Sequence, residues 1–202
     1  MKLAILGAGA WGTAFGLSQR ERHGITLWTW QREHADAMRA DRVNAFLPGH
    51  PLHESIRIEH DLPTALAGAE LLIVATPTAA LRPTLEAVAR TGSTTPVVWL
   101  CKGFEPVTAK FPHQVADEVL PASTPRGVLS GPSFAEEIAR GLPAAVTLGS
   151  RDAAFADAGR ATDLFAGLIR AVRIEATRVA ANLDRSCATI TAYAANQSAV
   201  ST

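Results

Sequence analysis

The chain opens Met1-Lys-Leu-Ala-Ile-Leu-Gly-Ala-Gly-Ala-Trp-Gly12. An apolar run, Leu3 to Leu6, empties into Gly7-x-Gly9-x-x-Gly12, and a helix-compatible stretch follows. Strand, tight turn and helix in that order suit the pyrophosphate of a dinucleotide. Gly7 permits the turn, Gly9 lets the backbone approach the phosphates, and Gly12 lets the helix lie close to the strand. The helix N-terminus then offers free amides and the positive end of its dipole to an anion. A turn that needs only positive φ accounts for one glycine, but not for three at this spacing.

The rest of the chain repeats the strand–helix alternation. Helical spacing runs from Ala10 to Arg22, and Ile25 to Trp30 has the β-branched and aromatic character of a second strand. A helix over Glu33 to Arg42 precedes an Asn44-Ala-Phe-Leu-Pro-Gly49 loop. Ile56 to Glu59 reads as a short strand, with Asp61 as N-cap of the next helix. Leu71 to Ala75 and Pro96 to Leu100 are continuous apolar runs, suited to parallel strands buried on both faces. Helices are expected over Ala79 to Arg90, Thr108 to Leu120, Ala135 to Arg140 and Asp152 to Phe165. Strands are expected over Gly127 to Ser130 and Ala144 to Leu148. This order defines an α/β domain with a doubly wound, mostly parallel, Rossmann-like sheet. It is expected to span residues 1–175, with a divergent C-terminal segment over 176–202 whose last ten residues or so fray.

Composition narrows the functional classes. The 202 residues are 48% hydrophobic, ample for a core, and 19 basic side chains balance 19 acidic ones. No long basic run argues for nucleic acid. No apolar stretch approaches the ~18 residues of a membrane span, and the chain starts directly on a core strand, so a cytoplasmic protein is expected. Cys101 and Cys187 have neither metal-ligand nor disulfide-framework spacing. The six histidines (23, 34, 50, 53, 60 and 113) show no metal spacing, and none is assigned a role. The absence of a G-x-S-x-G elbow argues against hydrolase chemistry.

Ligands of a doubly wound sheet bind outside the carboxyl ends of the strands. Four segments fall at such ends: Gly7 to Gly12, Thr76-Pro77, Cys101-Lys102-Gly103 and Ser130-Gly131-Pro132-Ser133. They are expected to meet in one crevice. Lys102 is one of three lysines, and its place directly after a buried strand suits a cation facing a phosphate or a carbonyl oxygen better than a solvated surface charge. Ser133 is placed to N-cap the next helix, with Glu136 completing a capping box, or to help bind an anion there. The second strand ends Trp28-Thr29-Trp30-Gln31-Arg32 without the acid that accepts from a ribose 2′-OH. With Arg32 nearby, the cofactor preference leans to NADP over NAD.

Five segments together resemble the bacterial-type NAD(P)-dependent glycerol-3-phosphate dehydrogenases: Gly7-Ala-Gly-Ala-Trp-Gly-Thr-Ala14, Asn44-Ala-Phe-Leu-Pro-Gly49, Cys101-Lys-Gly-Phe-Glu105, Leu129-Ser-Gly-Pro-Ser-Phe-Ala-Glu-Glu137 and Ala139-Arg-Gly-Leu-Pro-Ala-Ala145. The resemblance covers roughly residues 1–170. It implies hydride transfer between NAD(P)H and dihydroxyacetone phosphate, giving sn-glycerol 3-phosphate for phospholipid synthesis. It also implies that Gly7, Gly9, Ala10, Trp11, Gly12, Lys102 and Ala135 hold the cofactor. Lys102, Gly131 and Ser133 would meet the small phosphorylated substrate, with Lys102 stabilising charge on the C2 oxygen. Homo-oligomerisation is left open.

Two departures stand out. Family members often carry arginine near the position of Trp30, so a 2′-phosphate contact around Trp30 moves here to Gln31 or Arg32. The family's catalytic lysine lies in a Gly-Ala-Leu-Lys-Asn segment, opposite Arg178-Val-Ala-Ala-Asn-Leu-Asp-Arg-Ser-Cys187, and no lysine follows Lys110. Arg178 and Arg185 offer charge but cannot shuttle a proton. No catalytic residue is therefore identified, and the helical substrate domain has no counterpart in this sequence. Two readings follow: a dehydrogenase truncated or altered near residue 170, or a nucleotide-binding module without turnover.

Overall fold

A computed structural model describes residues 1–131, 134–142, 144, 146–152 and 155. The elements run β1 (Lys2–Leu6), α1 (Ala10–Gln19), β2 (Gly24–Trp28), α2 (Arg32–Asp41), β3 (Arg57–Glu59), α3 (Leu62–Leu66) and β4 (Leu71–Val74). They continue with α4 (Thr78–Arg90), β5 (Val97–Trp99), α5 (Pro112–Val119), β6 (Arg126–Ser130), α6 (Ala135–Ala139) and β7 (Thr147–Ser150).

The seven strands form one sheet in the order β3-β2-β1-β4-β5-β6-β7. All neighbours pair in parallel except β6 and β7, which are antiparallel. Alternate residues of the central strands feed two cores. Leu3, Ile5, Leu71, Ile73 and Val98 face one, which also takes Phe15 of α1 and Ile138 of α6. Ala4, Leu6, Leu72, Val74, Val97 and Trp99 face the other, packed by Leu81 and Leu85 of α4 and Val115 of α5. A strand buried on both faces must be apolar at every position, which is why β1 and β4 read as unbroken hydrophobic runs.

Several boundaries differ from the sequence reading. β2 stops at Trp28: the Thr29 amide still pairs with β3 by donating to the Glu59 carbonyl, and Trp30 beyond it is 75% exposed. α1 ends three residues earlier than expected, at Gln19. α5 begins at Pro112 rather than Thr108. Proline fits the first helical position but disfavours helical backbone in the residue before it. The final strand lies at Thr147–Ser150 and turns back against β6. α6 has five residues and so rises only about 7 Å. The helix alone is therefore shorter than β6, whose five residues span about 17 Å. Asp61 does cap α3, accepting from the Thr64 amide at 3.0 Å. The expected helix over 152–165, the 175/176 boundary and the frayed C-terminus lie outside the described residues.

Candidate dinucleotide site

The sheet order reverses between β1 and β4, and the glycine loop sits at that switch point. Gly7 takes φ +119°, and a Cβ there would lie 2.8 Å from the Ala75 carbonyl carbon and oxygen. A Cβ on Gly12 would stand 2.0 Å from the Gly7 carbonyl oxygen, so the motif's third glycine lets α1 close on the loop itself. Contact between α1 and the sheet is made one turn later at Gly16, where a Cβ would meet Ile5 and Ile25 at 3.2 and 3.3 Å. Gly9 is different. It is the N-cap of α1, no side chain caps the helix, and a Cβ on it would meet nothing within 4 Å. No side chain therefore occupies the start of α1 and the space before it is open, the arrangement an anionic diphosphate requires.

Two clefts flank this loop. One, of about 410 Å³, is lined by Gly9, Ala10, Trp11, Thr76, Lys102 and Gly131 among others. All four segments expected to converge do so there. The other, of about 700 Å³, runs over Gly7 to the end of β2, where Trp28, Trp30, Gln31, His34 and Phe46 wall it. Arg32 stands outside that wall, exposed at the first position of α2. Ala135 is half-buried at the start of α6, packed against the first core. Ser133 lies outside the described residues. The cap position of α6 is occupied by Phe134, one residue later than the sequence reading placed it, and no side chain caps the helix. Glu136 pairs instead with His50 at 3.0 Å and with Arg140 at 2.8 Å, and the His50 hydrogen bond holds its carboxyl below the usual range.

Lys102 is held by its surroundings on two sides. Its Nζ donates to the Gly131 carbonyl at 2.9 Å, and its own carbonyl accepts from Thr78 Oγ1 at 2.6 Å. The residue as a whole is exposed, yet the protein around its ammonium desolvates it enough to lower its pKa. Two hydroxyls of the same cleft, Thr76 Oγ1 and Ser130 Oγ, are buried and have no partner in the protein. Buried hydroxyls are rarely left unpaired, so these mark a wall with hydrogen bonds still to make.

Glu105 anchors the loop that follows Lys102. It is 7% exposed and receives Arg82 through both carboxylate oxygens, at 2.7 and 3.0 Å, with the Thr108 hydroxyl as a further partner. The Arg82 hydrogen bonds first, then Thr108, hold its pKa down at about 2. Arg82 also reaches Glu118 at 2.8 Å, which joins α4, α5 and this loop. The sequence reading recorded Glu105 as part of a motif but gave it no task. Arg82, Asn44 and His34 were given no role because each acts through distant partners that spacing along the chain does not reveal, whereas Thr76 and Ser130 stand in segments expected to meet in the crevice but were given no task of their own. Among the described residues, no group of three or more His, Cys, Asp or Glu could hold a metal ion, and no helix is long and apolar enough to cross a membrane.

A doubly wound sheet with a glycine loop at its switch point and an uncapped helix behind it defines a dinucleotide-binding domain of the Rossmann type. Residues 2–156 match the family described as NAD-dependent glycerol-3-phosphate dehydrogenase N-terminus, and the chain belongs to that family. It is 52% identical over 157 residues to the glycerol-3-phosphate dehydrogenase [NAD(P)+] of Thiobacillus denitrificans and likewise to that of Dechloromonas aromatica. Each alignment covers 77% of this chain and 48% of the relative. Among solved structures, the glycerol-3-phosphate dehydrogenase of Coxiella burnetii superposes with a TM-score of 0.74 at 32% identity. That match covers 86% of this chain and 52% of the other. The chain spans about half the length of the curated relatives it matches.

Proposed function

We propose that this chain is the cofactor-holding half of an NAD(P)-dependent glycerol-3-phosphate dehydrogenase acting in the cytoplasm, with its dinucleotide-binding domain extending over residues 1–175. The observation that carries the reading is the meeting of the glycine loop, Thr76, Lys102 and Gly131 around one cleft, with an uncapped helix start at its centre. Family membership over residues 2–156 supports the same reading.

The chain's own groups divide the work by position. Gly7, Gly9, Ala10, Trp11 and Gly12 would hold the pyrophosphate against the amides of α1. Trp30, Gln31 and Arg32 lie toward the ribose end, where the absence of an acid favours NADP over NAD. The bound cofactor supplies the hydride. Lys102, with Gly131 and Ser133, would hold dihydroxyacetone phosphate, and Ala135 would border the cofactor. An ammonium at the mouth of a partly desolvated cleft stabilises negative charge on the C2 oxygen. No group in the chain is assigned to move the proton, since Arg178 and Arg185 stay protonated at any working pH.

Dihydroxyacetone phosphate-dependent oxidation of NADPH by the 202-residue chain tests this. Binding of NADPH without turnover is expected, because the proton donor is missing. Turnover would assign the missing step to a group within these residues. Failure of a folded chain to bind either NADPH or NADH would overturn the reading.

A further inference from the structure

We propose that Asn44 is a positioning residue for the dinucleotide, its carboxamide locking the glycine loop to the end of β2. The inference rests on the cofactor-holding reading above. Asn44 is fully buried, although it sits in the Asn-Ala-Phe-Leu-Pro-Gly loop rather than in the sheet. Its Nδ2 donates to the Ala8 carbonyl at 2.9 Å, inside the glycine loop, and to Thr13 Oγ1 at 2.6 Å, in the first turn of α1. Its Oδ1 accepts from the Phe46 amide at 2.9 Å and from His34 Nε2 at 3.2 Å.

These partners determine the polarity of the whole relay. A carbonyl can only accept and an amide N–H can only donate, so Ala8 and Phe46 fix which end of the carboxamide is which. Oδ1 can then only accept from His34, which places the imidazole proton on Nε2. In the neutral imidazole Nδ1 is then left to accept from Thr29 Oγ1 at 3.4 Å, and that hydroxyl oxygen accepts from the Gln31 amide at 3.4 Å. One chain of hydrogen bonds therefore runs from the pyrophosphate loop to the segment after β2. The 700 Å³ cleft lies between its two ends. His34 and Phe46 pack edge to face at 5.2 Å on the cleft wall, so the same relay also sets that wall.

An asparagine here can donate toward the glycine loop and accept from α2 at once. An aspartate of almost equal volume cannot donate to Ala8 when ionised and would repel its carbonyl. Asn44→Asp should therefore weaken NADPH binding about tenfold or more, read as tryptophan quenching on the full chain. Thr13 supplies a crossed pair that does not depend on that variant folding. Thr13→Ser keeps the hydroxyl and loses a methyl, whereas Thr13→Val keeps the shape and loses the hydroxyl. A positioning relay predicts near-native affinity for Thr13→Ser and several-fold weaker binding for Thr13→Val. A purely packing role predicts the reverse.

Wild type that quenches normally, with a folded Asn44→Asp binding equally well or with Thr13→Val outperforming Thr13→Ser, overturns the inference alone. Wild type that does not bind NADPH overturns the cofactor reading and the inference together.

Discussion

At the residue scale, the glycine loop shows how little tolerance the site has. A methyl group on Gly12 would point at the Gly7 carbonyl from 2.0 Å, and neither backbone can yield without opening the turn. Gly12→Ala should cost about 2 kcal/mol or more of stability and abolish NADPH binding; a urea melt and a binding titration check the two parts. The glycine spacing and the crevice around Lys102 were legible in the sequence, because both are set by backbone geometry at strand ends. Asn44 was not, since its importance comes from partners at Ala8, Thr13 and His34, which only the fold brings together. Trp30 is the residue where family resemblance and chemistry diverge. It is 75% exposed beside the wide cleft, where the family resemblance leads to an expectation of arginine. Trp30→Arg should shift the ratio of dissociation constants toward NADPH by about tenfold, as a charge-assisted contact to the 2′-phosphate would. An unchanged ratio would place the 2′-phosphate elsewhere.

At the element scale, the doubly wound, mostly parallel sheet and its buried central strands followed from unbroken apolar runs alternating with helical segments. The antiparallel β7 did not, because the run of strand and helix signals says nothing of how far α6 carries the chain. Nor did the loop between β5 and α5 reveal its anchor. Glu105 is pulled down to about 2 chiefly by Arg82, against about 4.3 for a free glutamate. A depressed carboxylate stabilises the fold above its unfolded pKa and loses that contribution as pH falls through the folded value. The thermal stability of the wild type should therefore fall as the pH drops from about 4 to about 2. Glu105→Gln should be less stable at neutral pH and show a flatter acid limb, the two curves converging near the acid end. Parallel curves would mean that the Arg82 pair contributes nothing.

At the scale of the whole molecule, several large apolar side chains are exposed. Phe104 and Val107 follow β5 and are 50% and 93% exposed, Phe134 follows β6 at 60%, and Phe46 and Leu142 are 59% and 48% exposed. Exposed apolar surface tends to find partners. The 202-residue chain should therefore self-associate, its scattering mass rising with concentration; a constant monomer mass would refute this. The central claim, that the crevice at the β1–β4 switch point holds a nicotinamide dinucleotide, has a more direct test. Trp11 lines the smaller cleft, and Trp28 and Trp30 line the larger one. Titrating NADPH into the folded chain should quench their fluorescence saturably, and Gly9→Val should abolish the effect by filling the space before α1 without unfolding the protein. No quenching of the folded wild type, or undiminished tight binding by Gly9→Val, would contradict the account.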